Sequence, residues 1–274
     1  MKRRAILAGL PLLAGACTTR GYGIGALLAG SGEDRAEREE AARDVPFVPT
    51  PDTLVTAMLD MAQVGPTDTL VDLGSGDGRI PLAAGRRGAR ALGVEIDPAL
   101  VVRANARAAA EGLSDRVSFR TGDLFELRLA DATVVTLYLL PAINLRLRPR
   151  LLTELRAGTR IVSHAFDMGD WVADAERIVD DRRAFLWIVP ATAGGDWRVT
   201  LPDSRTARLS IEQRFQRISG SFDGRPLESA TLAGDRLAFT VGGQRYAGRV
   251  SDAAITADVS VQGTIPGWRA VRAD

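Results

Sequence analysis

An α/β domain with a doubly wound parallel sheet, followed by a small all-β barrel or sandwich, is the fold class that three features of the chain predict. Apolar strand-like runs alternate with helical ones between residues 46 and 190. The stretch 69–97 holds strand, glycine loop, helix, strand and acid, in the order of a nucleotide-binding βαβ unit. Beyond Pro190 the helical spacing stops and period-two alternation takes over.

The chain has 274 residues, 46% hydrophobic and 25% charged, which suits two folded domains and excludes a disordered protein. A net charge of +1 gives no global case for nucleic-acid binding, and none is expected. Lys2 is the only lysine, the other basic residues being arginine, as a GC-rich genome would produce. Cys17 and His164 are the only residues of their kinds, which excludes an internal disulfide and argues against zinc chemistry.

Residues 1–17, MKRRAILAGLPLLAGAC, have the plan of an export or lipoprotein signal: basic start, short apolar run, small residues, then Cys17. Arg3 and Arg4 also resemble a twin-arginine signal. The expectation is an exported or membrane-anchored protein, lipidated at Cys17 and membrane-associated through its N-terminus; the alternative is the cytoplasmic face of the membrane. Residues 18–45 read as a linker, apolar at 21–30 and charged at 31–44. Prolines 46, 49 and 51 enforce an extended entry, after which Leu54, Met58 and Met61 mark the buried face of a helix.

The domain at 46–190 should hold strands near 69–73, 91–95, 116–120, 132–138 and 160–165, with helices near 79–87, 98–112 and 142–156. Runs at 175–181 and 183–190 are close enough for a hairpin that finishes the sheet. In the glycine loop, a dinucleotide site wants glycine at the sixth position of GxGxxG, where this chain has Arg79. An acid two residues before the first glycine, followed by GxGxG, is instead the pattern of S-adenosylmethionine sites. Glycines 74, 76 and 78 let the backbone approach the ligand. Asp72 can accept hydrogen bonds in the loop or from a ligand ammonium, Glu95 can take both ribose hydroxyls, and Asp123 can accept from the adenine amino group. Ser75, Ile96 and Leu124 complete the expected cofactor site.

With these residues in view, the chain resembles a class I S-adenosylmethionine-dependent methyltransferase. More narrowly, it is similar to the lysine methyltransferases of the ATP synthase c-subunit and their bacterial relatives. The resemblance is carried by VPTP (48–51), DLGSGDGRI (72–80), GVEIDP (93–98), GDLF (122–125), TLYLLPAINLRLRP (136–149) and GTRIVSH (158–164). It implies a seven-stranded, Rossmann-like methyltransferase sheet, S-adenosylmethionine as cofactor, and a lysine of a protein partner as acceptor.

Catalytic candidates lie beyond the carboxyl ends of the fourth and fifth strands. Tyr138-Leu139-Leu140-Pro141 occupies the position of the NPPY-like loop of amino methyltransferases without its polar residue. Tyr138 is read either as a group that stacks on or bonds the acceptor, or as an interfacial core residue. Asn144 is expected to cap the following helix or bind substrate, and His164 to face the crevice, in a structural or a proton-transfer role. Asp167, Asp170 and Trp171 are expected in a loop closing over the pocket. Arginines 146, 148, 150, 156 and 160 read as a solvated face or a dock for an acidic partner or anionic lipid. Residues 191–196 read as a linker, and 197–274 as about six antiparallel strands with Trp197 and Trp268 near the first and last. A non-catalytic exported ligand-binding protein and a small-molecule methyltransferase are the alternative functions.

Overall fold

The computed structural model describes residues 48–273. The export-signal and Cys17 readings therefore lie outside the described residues. No helix among the described residues is long and apolar enough to cross a membrane.

The first sheet has seven strands in the order β3-β2-β1-β4-β5-β7-β6. These are β1 (Thr69–Leu73), β2 (Arg90–Glu95), β3 (Val117–Thr121), β4 (Val134–Leu137), β5 (Arg160–His164), β6 (Ala175–Val179) and β7 (Arg182–Ile188). Strands β1 to β5 are parallel, and β7 turns antiparallel against β5. The strand order reverses between β1 and β4, which opens a crevice at their carboxyl ends.

Helices α1 (Asp52–Met61), α2 (Arg79–Arg86) and α3 (Pro98–Ala110) cover one face through Leu54, Met58, Leu82 and Ala104. Helix α4 (Pro141–Glu154) covers the other through Leu147 and Leu151. Asp97 caps α3 by accepting from the Ala99 amide, with Pro98 in the first turn. Helix α4 has Leu140 at its cap and no side-chain cap bond. The expected capping role for Asn144 is thus overturned: it is the fourth residue of the helix, fully buried.

The second sheet is antiparallel, with nine strands in the order β11-β10-β9-β8-β16-β15-β14-β13-β12. It runs from β8 (Gly195–Thr200), β9 (Thr206–Arg214) and β10 (Arg217–Phe222) through β11 (Arg225–Pro226), β12 (Glu228–Ala233) and β13 (Arg236–Val241). It ends with β14 (Gln244–Val250), β15 (Ala254–Ala257) and β16 (Arg269–Arg272), curling into a nearly closed barrel. Its interior is aromatic, with Phe222, Phe239, Tyr246, Trp197 and Trp268 in one buried cluster. The alternation predicts about six strands and nine form; the turn between β9 and β10 carries no glycine. Between β9 and β10 Phe215 takes the left-handed position, with φ of 54°. The segment that reads as a linker contributes Ala191 and Ala193 to this core, and β8 begins inside it at Gly195.

Candidate functional site

The loop after β1 is tied to β2 before any side chain acts. The Gly74 and Ser75 amides both donate to the Val94 carbonyl, at 2.9 and 3.0 Å. Gly74, Gly76 and Gly78 all have positive φ, at 78°, 54° and 81°. At Gly78 a Cβ would also lie 2.5 Å from the Phe119 ring. Arg79 starts α2, and its guanidinium bonds Asp77 and the Thr50 carbonyl. The residue that breaks the dinucleotide pattern therefore pins the loop to the entry segment. The Arg79 and Arg107 charges hold Asp77 below the usual carboxylate range despite its partial burial.

Three acids sit where the sequence places them, at the ends of β1, β2 and β3. Asp72 is buried and accepts one side-chain bond, from Thr136 Oγ1 at 2.7 Å. Desolvation, with the Glu95 and Asp77 charges nearby, pushes its carboxyl up to about 7. Glu95 accepts from the Gly76 amide at 2.9 Å, and from Ile96 and Asp97 at 2.8 and 3.0 Å, so one carboxylate clasps both loops. Asp123 Oδ1 accepts from the Phe125 amide at 2.8 Å. Among the described residues, Oδ2 has no hydrogen-bond partner. Ser75 is buried beneath the loop, its hydroxyl unpartnered.

Sequence reasoning missed how the loop at 123–127 is held. Arg150, expected on a solvated face, donates to the Leu124, Phe125 and Leu127 carbonyls and pairs with Glu154. Arg146 lies over the Phe125 ring at 3.8 Å. Arg148 is engaged with Met168 and Asp170, and Arg160 with Asp68. Of the five arginines, Arg146 and Arg156 are exposed and make no hydrogen bond or ion pair among the described residues. The cluster is largely an internal brace.

At the ends of β4 and β5 the rings of Tyr138 and His164 stack, 3.7 Å between centroids, with Phe166 6.4 Å from Tyr138. Buried Thr50 meets His164 Nδ1 at 3.1 Å, a contact the VPTP stretch carried without revealing. Desolvation, with the Arg182 charge, pulls His164 down to about 4, so at neutral pH it is an uncharged wall and a weak base. Asn144 faces Ser163 and donates to the Phe166 and Asp167 carbonyls, holding the loop after β5. The lid reading of that loop is corrected: Trp171 is fully buried against Trp187 and Phe215, and Asp170 is paired with Arg148 and Arg214. A depression of about 520 Å³ on the second sheet is lined by Asp196, Ser210, Glu212 and Gly220 among others, and by none of these groups.

Residues 72–175 match the family model described as the ANTKMT methyltransferase domain. Over 129 residues the chain is 43% identical to a protein-lysine N-methyltransferase of Saccharolobus islandicus, covering 46% of this chain and 80% of that protein. It is 35% identical over 130 residues to the ATP synthase c-subunit lysine N-methyltransferase of Xenopus laevis, covering 47% of this chain and 57% of that protein. Among solved structures, an RNA methyltransferase from Salinibacter ruber in complex with S-adenosyl-L-homocysteine is 51% identical, with a TM-score of 0.51. The match covers 52% of this chain and 94% of that one.

Proposed function

The chain belongs to the S-adenosylmethionine-dependent methyltransferases of the ANTKMT domain family, and we propose that it methylates a lysine side chain of a protein. S-adenosylmethionine is its methyl donor. The site's own geometry fits that cofactor. A buried carboxyl with one donor at Asp72 favours a cationic partner such as an amino-acid ammonium. The glycines at 74, 76 and 78 leave the backbone bare, and Glu95 and Asp123 present acceptors at the next two strand ends.

Asp72 and the glycine loop would hold the methionine end, Glu95 with Ile96 the ribose, and Asp123 with Leu124 the adenine. The cofactor supplies a methyl group already activated on a sulfonium. The protein's task is then alignment and exclusion of water. An incoming lysine ammonium must lose its proton before attack. The Tyr138, His164 and Phe166 rings form the wall that its aliphatic stem and charged end would pass. His164, depressed to about 4, serves this wall as a neutral ring rather than as the base.

The match to the archaeal lysine methyltransferase carries the acceptor assignment. The chain spans little more than half the length of its vertebrate relatives. One observation favours a second reading, an RNA acceptor: the name of the Salinibacter ruber protein. The test is incubation with methyl-labelled S-adenosylmethionine and separated protein and RNA fractions of the source cell. Label on lysine in protein supports the proposal; label in RNA alone replaces it with the second reading.

A further inference from the structure

The family match ends at residue 175, before the barrel begins, and the barrel carries no part of the cofactor site. Its β9–β10 hairpin nevertheless reaches the methyltransferase domain at one place. The loop that follows His164, residues 165–174, is pinned there along its second half. Asp170 is bonded both by Arg148 from α4 and by Arg214 from the hairpin, the latter at 2.7 Å. Trp171 stacks on Phe215 at 5.8 Å with 20° between the rings. Gln216 Nε2 donates to the Val172 carbonyl at 2.7 Å and to Asp174 at 3.2 Å.

Phe215 belongs to the barrel in sequence, yet packs with the buried cluster of the first domain that contains Trp171, Trp187 and Leu147. It does so from a left-handed backbone position, where a bulky residue is disfavoured. Gln213, beside the turn, ties it to the preceding segment, accepting from the Ala193 and Gly194 amides and donating to the Ala191 and Phe215 carbonyls. The strained turn thus aims one aromatic ring out of its own domain and into the other.

The first half of the same loop carries the acceptor wall. His164 and Phe166 flank Ala165, itself at φ of 67°, and Asn144 holds the next two carbonyls. We propose that Arg214, Phe215 and Gln216 are positioning residues for methyl transfer: the barrel hairpin fixes the 165–174 loop and, through it, the His164–Tyr138 wall. The inference rests on the reading of that wall as the acceptor site. It gives the barrel a part in acceptor selection and none in cofactor binding.

His164 is the only histidine, so the tag-free protein has a single imidazole resonance that reports on the wall. The test compares wild type, Phe215→Gly and the Arg214→Ala/Gln216→Ala double variant. It uses the His164 ring signal, amide exchange over 165–174, and calorimetric titration with S-adenosylhomocysteine. Phe215→Gly removes the ring while relieving the backbone, and the double variant changes one exposed and one half-buried side chain, so a folding failure in one leaves the other informative. The expected result is a shifted or broadened His164 signal and loop exchange faster by about tenfold or more, with S-adenosylhomocysteine affinity unchanged within about twofold. An unmoved His164 signal with unchanged exchange overturns the proposal, as does a parallel loss of cofactor affinity. Failure of the wild type to bind S-adenosylhomocysteine would instead sink the methyltransferase reading, which the exchange measurement does not depend on.

Discussion

Asp72→Asn removes a charge from the cofactor site while keeping an oxygen to accept the Thr136 hydroxyl. In the wild-type protein without cofactor, the folded carboxyl holds its proton up to about 7, against 3.8 for the ordinary group. Between those values the native state binds more protons than the unfolded chain, so stability is greatest below 3.8 and falls as pH rises towards 7. At about 1.4 kcal/mol per pH unit the loss is at most roughly 4 kcal/mol. The asparagine cannot ionise, so the variant lacks this loss. Its advantage over wild type should grow with pH and level off above about pH 7. Titrating groups that are not coupled to Asp72, His164 among them, act equally on both proteins and cancel in the difference. Urea unfolding of the two proteins from about pH 5 to about pH 8 gives that difference directly. Adding S-adenosylmethionine should reverse the ranking, because a cationic ligand end favours the ionised carboxylate; wild-type affinity should then rise with pH over the same range. Parallel stability curves for the two proteins would refute the reasoning.

His164 should show no titration between about pH 5.5 and pH 8 in its ring proton signal, since its folded value lies near 4. The associated stability is present above the ordinary 6.5 and is lost as pH falls through 4; a midpoint near 6.5 would mean the ring is solvated. Gly78→Ala forces a Cβ into a left-handed position 2.5 Å from Phe119, at a cost of about 2–5 kcal/mol from strain and overpacking together. Chemical denaturation measures it, and a change below about 0.5 kcal/mol would show that the loop relaxes freely. Cys17→Ser should shift the protein from the membrane to the soluble fraction if the N-terminal signal directs lipidation, and an unchanged distribution would discard that reading.

The first domain was largely legible because its signals are local. Apolar runs and caps placed β1 to β7 and the four helices close to their observed bounds. The acids at 72, 95 and 123 could be assigned to strand ends by counting alone. What escaped depends on partners distant in sequence. Asn144 looks like a cap because it follows Pro141, but it turns inward to carbonyls more than twenty residues on. Arg150 looks solvated because its partners are backbone carbonyls, which have no sequence signature. Phe215 gives no turn signal, since its left-handed geometry is sustained by stacking on Trp171 rather than by glycine. Thr50 lies in the extended entry that the prolines enforce, while its side chain meets His164, 114 residues on.

Mass spectrometry of source-cell proteins incubated with the purified enzyme and methyl-labelled S-adenosylmethionine tests the central claim most directly. Labelled methyl groups on lysine Nζ, abolished in a Glu95→Ala variant that remains folded, are the predicted result. A wild-type protein that binds S-adenosylmethionine yet leaves every lysine unlabelled would contradict it.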